Sequence, residues 1–191
     1  MTDVLQSPES ATRRRTRQAI IDAGATLLIR RRDATFADIA QAADTSRSTV
    51  HRYFGDRTEL LQAIVADSLE TIGAATENAR IQDGPTLEAM RRLIAAFLDI
   101  GDRIRFLFAD PAFAAQHPAV ADLAKTDGPV IELIRRGQAE GVLAATLSPH
   151  WIERTVWSLI YAASEAVEEE ALTRHEALAT LQRTIERGIG A

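Results

Sequence analysis

The apolar residues of this chain recur every three or four positions along nearly its whole length. Leu60, Leu61, Ile64, Val65, Leu69 and Ile72 form one such stripe, and Leu87, Met90, Leu93, Ile94, Phe97 and Leu98 form another. That spacing gathers side chains on one face of a 3.6-residue helix, and strand-like alternation is absent. An all-α fold is predicted. Aromatic residues are only 5% of the chain against 46% hydrophobic, so the core is expected to be mainly aliphatic. The 191 residues contain no cysteine, which excludes disulfide frameworks, thiolate zinc sites and cysteine nucleophiles. No apolar run approaches membrane-spanning length, and "MTDVLQSPESATRRRTRQ" lacks the apolar core of a signal peptide. A cytoplasmic location is expected.

Helix ends are marked well enough to place about nine helices. "TRRRTRQAIIDAGATLLIRRR" sets Ile20, Ile21, Leu27 and Leu28 on one side behind a basic head. Thr35 can cap the next helix, in which Phe36, Ile39, Ala40 and Ala43 keep helical spacing. Ser46 can cap a short helix ending near Phe54. Asp56 and Glu59 have capping-box spacing and open a long helix that fades near Asn78. Gln82–Thr86 ("QDGPT") is the clearest break. A shorter apolar segment is stopped by Pro111, Asp127–Pro129 breaks the next, and Gly141 closes "VIELIRRGQAEG". Ser148 as cap and Pro149 as first helical residue open a long helix, and Leu178, Leu181 and Ile185 mark the last one. Residues 1–10 are expected to be disordered, and "EEE" at Glu168–Glu170 to be a solvated helix end.

"TSRSTVHRYF", Thr45 to Phe54, is too polar for a core helix, yet Val50 and Phe54 stand i,i+4 and define one narrow buried face. Two short helices around a tight turn, the second polar on its outer side, make a helix-turn-helix. Arg47, Ser48, His51 and Arg52 then point outward where base edges would lie, and Arg can pair bidentately with guanine. Thr35, Ser46, Thr49, Tyr53 and Arg57 suit the phosphates, because hydroxyls, cations and helix N-termini bind anions. The Arg13–Arg17 run, with Arg14 among the DNA-binding candidates, could reach DNA as a basic arm. The charge distribution agrees in direction. Overall the chain carries −5, but residues 1–60 hold ten arginines against eight acids, while residues 61–191 hold twelve basic residues against nineteen acids.

"TFADIAQAADTSRSTVHRYFGDRTELL" resembles the N-terminal signature of the TetR family of bacterial transcription regulators. Thr35, Ile39, Ala40, Ala43, Ser46, Thr49, Tyr53, Phe54, Arg57, Glu59, Leu60 and Leu61 match it in register, as do "AIIDAG" (Ala19–Gly24), Leu27 and Leu28. Three features depart from the pattern. Asp44 stands where the turn normally holds glycine, which Asp tolerates better than most residues. His51 and Ser48 replace a usual tyrosine and a frequent glycine on the reading face. The link "IRRRDAT" is about two residues short.

The resemblance implies a homodimeric transcriptional regulator, a repressor on a palindromic operator. It divides the chain into a helix-turn-helix domain at 11–56 and an effector-binding and dimerisation domain at 57–191. The fourth to seventh helices and part of the eighth would enclose a small-molecule cavity. The last two would pair with their copies through Ala162, Ala163, Ala166, Leu159, Ile160, Leu178, Leu181 and Ile185. Dimerisation would set two recognition helices about 34 Å apart, with the fourth helix as the lever that an effector moves. Met90, Ile94, Phe97, Phe108, Phe113, His117, Trp157 and Tyr161 are the expected pocket residues. A largely apolar organic effector fits such a wall better than a metal ion or sugar phosphate. Arg103 or Arg105, turned inward, would favour an anionic head. No cofactor, catalytic residue or metal site is expected. The rival reading is a small-molecule-binding or metal-dependent helical enzyme. His150 and Glu153, at i,i+3, are its metal-binding candidates, but no nucleophile elbow or glycine-rich phosphate loop accompanies them.

Overall fold

The computed structural model describes residues 11–108, 110–123, 127–188 and 190, so the expectation of disorder for residues 1–10 lies outside the described residues. The described chain is helical: α1 (Ala11–Arg30), α2 (Phe36–Ala42), α3 (Arg47–Tyr53), α4 (Arg57–Asn78), α5 (Thr86–Asp99), α6 (Gly101–Phe108), α7 (Pro111–Gln116), α8 (Pro118–Leu123), α9 (Pro129–Ala139), α10 (Pro149–Glu168) and α11 (Arg174–Gly188). Among the described residues the only β feature is an isolated bridge between Leu143 and Gly190. These are eleven helices rather than about nine, because prolines subdivide the middle of the chain. Pro111 is the first residue of α7, where the Asp110 carboxylate accepts from the Ala112 N–H at 2.9 Å. The same residue that cannot continue α6 is well suited to open a new helix.

Two compact units divide between Asp67 and Ser68, within the sequence of α4. In the first, Ile20, Ile21, Ala25 and Leu28 of α1 are buried together with Ile39, Ala40, Val50, Phe54, Leu60 and Ile64. The short link between α1 and α2 is closed by backbone bonds from Arg31 N–H to Leu27 and from Ala34 N–H to Arg31, both at 3.0 Å, and Ala34 is fully buried. Asp44 adopts φ +48° in the turn before α3, the left-handed geometry that its position demands.

In the second unit, Ala89, Met90, Leu93, Ile94, Phe97 and Leu98 bury one face of α5. α5 packs on α9, α10 and α11, and α10 packs on α6, α9 and α11. Two arginines hold the Gln82–Thr86 break. Arg92 donates to the carbonyls of Ala79 and Arg80 at 2.8 Å and of Asp83 at 2.7 Å. Arg136 donates to Ile81 at 2.9 Å, to Gln82 at 3.1 Å and to the Thr86 hydroxyl at 2.9 Å. Ser148 caps α10 by accepting from the Trp151 N–H at 3.1 Å, with Pro149 following as expected.

In the acidic run, Glu169 and Glu170 are exposed as expected of a solvated end, but Glu168 is not. It forms an ion pair with Arg105, which is 5% exposed, and the Arg105 guanidinium also lies 5.8 Å from the centre of the Tyr161 ring. α6 comes close enough for this because Gly101 faces Ser164, where an added Cβ would lie 2.8 Å from the serine Cβ and 2.3 Å from its Oγ. Gly101→Ala is therefore expected to cost about 1–3 kcal/mol by overpacking. Ser164→Gly in the same background should recover part of the loss, read from urea unfolding of the two variants.

Candidate nucleic-acid interface and aromatic wall

The helix-turn-helix is built from its caps. Thr35 accepts from the Asp38 N–H at 3.3 Å, while Asp38 accepts from the Thr35 N–H and hydroxyl, both at 2.7 Å. This reciprocal capping box starts α2. The bonds from the Thr35 backbone and hydroxyl, helped by Arg31 at 3.3 Å, hold the Asp38 carboxyl below its ordinary value of 3.8. Ser46 caps α3, accepting from the Thr49 N–H at 3.1 Å, and its Oγ lies 2.8 Å from the hydroxyls of both Ser48 and Thr49. Three hydroxyls thus cluster at the N-terminus of a recognition helix whose inner side carries the fully buried Val50. At the head of α4, Asp56 accepts from the Glu59 N–H at 2.8 Å, but Glu59 reaches back to the Gly55 N–H at 2.7 Å.

Arg47, Ser48, His51 and Arg52 are all exposed on α3, as expected. The His51 ring leans on Phe36 with centroids 4.7 Å apart. Arg52 lies 5.5 Å from the Tyr53 ring centre, and Arg13 of α1 approaches the same ring at 5.9 Å. Together with Thr12 these residues line a cleft of about 300 Å³. Arg17, one turn after Arg13, lies 5.3 Å from the Phe54 ring centre. Arg13 and Arg17, both in the expected basic run, thus lie against rings at the end of α3, as their i,i+4 spacing on one face of α1 allows.

Arg57, expected at the phosphates, has its two terminal nitrogens donating to the carbonyls of Arg32 and Ala34. It ties the first turn of α4 to the short link between α1 and α2.

The expected pocket residues fall into two aromatic groups in the second unit. Phe97 stacks on Trp157 at 4.7 Å with an interplanar angle of 17°, and Phe108 tilts against Trp157 at 5.8 Å. Separately, Phe113 meets Phe106 at 5.2 Å and His117 at 4.1 Å. The His117 ring also holds the Phe113 carbonyl through Nδ1 at 2.8 Å. Met90 and Ile94 are buried, whereas Phe113, His117, Trp157 and Tyr161 are half-buried. Sequence reasoning missed Phe106 as the ring linking α6 to α7. The two metal-ligand candidates do not act together: the His150 Nε2 is 3.3 Å from Asp127, and Glu153 accepts from the side chain of Trp157. Among the described residues, no group of three or more His, Cys, Asp or Glu could hold a metal ion.

Arg57→Ala removes the two charge-assisted bonds that the Arg32 and Ala34 carbonyls accept. A loss of about 1–3 kcal/mol in the stability of the first unit is expected, read from denaturant unfolding. A second expectation concerns acid. Because Asp38 is held below 3.8 when folded, its contribution is present above that value and is lost as pH falls through the folded value. Melting of Asp38→Asn should lack this component of the wild-type acid dependence.

Residues 20–64 match the family model for bacterial regulatory proteins of the tetR family. Over 183 residues, 96% of this chain and 95% of the relative, the sequence is 34% identical to the HTH-type transcriptional repressor LfrR of Mycolicibacterium smegmatis. It is 24% identical to the HTH-type transcriptional regulator NfxB of Pseudomonas aeruginosa over 90% of this chain and 92% of that protein. The crystal structure of LfrR from Mycobacterium smegmatis, which has 32% sequence identity, superposes with a TM-score of 0.74 over 94% of this chain and 99% of that one. LfrR in complex with proflavine gives 0.72 at 34% identity, over 92% and 97% of the two chains. Since the identity to LfrR runs through both units and not through the helix-turn-helix alone, the chain belongs to the TetR family of bacterial transcriptional regulators.

Proposed function

We propose that the chain acts as a homodimeric repressor that binds a palindromic operator and leaves it when a small, largely apolar organic effector binds. In this reading residues 11–56 read DNA and residues 57–191 bind effector and dimerise. The observation that carries it is the α3 surface: Arg47, Ser48, His51 and Arg52 stand exposed on a helix anchored from behind by Val50 and Phe54. Such a face offers donors and acceptors to base edges, while Tyr53, Arg52 and Arg13 offer hydroxyl and cation to the backbone. Thr35, Ser46 and Thr49 contribute by fixing the helix N-termini that face phosphates. The relatives support the repressor role, and proflavine bound to LfrR supports an organic effector.

One observation favours a different charge for that effector. Arg105, one of the two candidate partners for an anionic head beside Arg103, is already paired with Glu168. Proflavine is a flat aromatic cation, and a flat aromatic body matches the Phe97, Trp157 and Phe108 rings. The dimer surface also narrows. Ile160, Leu181 and Ile185 are buried within the chain, whereas Leu159, Ala162, Ala163, Ala166 and Leu178 keep exposed area on α10 and α11. These are the residues available to a second copy.

DNA selected by the protein from a random pool should contain an inverted repeat. Arg47→Ala should weaken binding to that repeat by about 1–3 kcal/mol and relax the preference at particular positions. Recovery of no repeat, or an unchanged Arg47→Ala, rejects the reading face. Ala163→Glu should convert a dimer into a folded monomer in sedimentation, because a charge in a small-residue interface is poorly tolerated.

A further inference from the structure

Glu153 and Trp157 stand one turn apart on α10 and share a face. Phe97 backs one side of the indole from the core, and Phe108, 36% exposed, meets the ring nearer the surface. The aromatic layer therefore runs from a dry interior to an accessible rim. Glu153 sits at its edge, half-buried, one turn before Trp157 and with the indole side chain close enough to act on its carboxyl.

The charged groups near Glu153 are His150, Asp127 and Arg154. His150 is turned to Asp127, which Arg135 also holds, and Arg154 is exposed on α10. Among the described residues Glu153 forms no salt bridge, and the loss of water outweighs what His150 and Arg154 return to it. Burial accordingly pushes its pKa above the ordinary value. A half-buried carboxylate one turn from Trp157, in a wall whose outer ring is the exposed Phe108, is an environment that a positive charge improves twice, by ion pairing and by the negative faces of the rings.

We propose that Glu153, with the Trp157 and Phe108 rings, forms the site that selects planar aromatic cations over neutral or anionic molecules of the same shape. This inference rests on the effector reading above and adds to it the residue that sets charge preference. The flat shape follows from the rings and the positive charge from the carboxylate. An anion would meet Glu153 itself and find Arg105 already engaged by Glu168.

The test measures binding of three probes to the full chain: proflavine, the neutral 9-anthracenemethanol and the anionic anthracene-9-carboxylate. Wild type should bind them in that order of affinity. Glu153→Gln should lose about tenfold or more for proflavine and leave the neutral probe within about twofold, because only the cation loses a charge partner. Glu153→Asp should keep most of the preference. Equal proflavine affinity in wild type and Glu153→Gln overturns the role of Glu153 while leaving the effector wall standing. If wild type binds none of the three, the effector reading fails and this inference fails with it. Should Glu153→Gln lose both proflavine and the neutral probe, the Asp variant decides: restored proflavine binding supports the charge role, and continued loss rejects it.

Discussion

A chain made of helices and short links must find donors for the carbonyls that helix ends and links leave unpaired. This protein meets the need with arginine side chains. Arg57 serves the link carbonyls of Arg32 and Ala34, Arg92 those of Ala79, Arg80 and Asp83, and Arg136 those of Ile81 and Gln82. The guanidinium suits the task because it presents five donors in a rigid plane and stays charged at any relevant pH. Lysine offers one rotating point charge and would reach one or two carbonyls at a time. With 21 arginines and a single lysine, the composition has a structural use beyond DNA binding.

What the sequence disclosed and what it withheld divide along contact range. Caps are interactions over three or four residues, and Thr35, Ser46 and Ser148 all take the roles their spacing predicts. The α4 and α5 stripes are equally local. Partner choice over longer range is not written in spacing. Nothing within "FGDRTELL" states that Arg57 turns toward residues 32 and 34, and nothing in "EEE" states that Glu168 meets an arginine sixty-three positions earlier. Leu181 shows the same limit from the apolar side: a stripe tells which face is dry, but not whether the chain itself or a second copy covers it. In the candidate site, α3 could be read nearly residue by residue, because a helix with one buried edge has its remaining directions fixed. The aromatic wall was legible only as a set of residue types, since its pairs come from α5, α6, α7 and α10.

Charge is unevenly spread along the chain. The basic excess lies before residue 60, where Arg13, Arg17 and Arg52 lie against the Tyr53 and Phe54 rings, while residues 61–191 carry the acidic excess. Under the proposed function, polyanionic DNA and an organic cation would be drawn to different parts of one chain. This arrangement has a thermodynamic benefit. Each ligand avoids competing for the other's site, so any mutual effect must arise through conformation.

That requirement places a condition on the wall. An effector changes operator affinity only by the difference in its affinity for two conformations. A wall that is the same in both would bind tightly and regulate nothing. The rings at issue belong to separate helices: Phe97 to α5, Phe108 to α6, and Trp157 with Glu153 to α10. α6 is fixed to α10 at two points, the Gly101–Ser164 contact and the Arg105–Glu168 pair, both on the α10 half beyond Trp157. Phe108, at the far end of α6, has neither restraint and keeps 36% of its surface exposed. The ring with the most freedom to differ between conformations is therefore the one at the rim of the wall. A flat ligand inserted beside Trp157 would act on α6 through Phe108, at the end of the helix beyond its glycine contact and its ion pair.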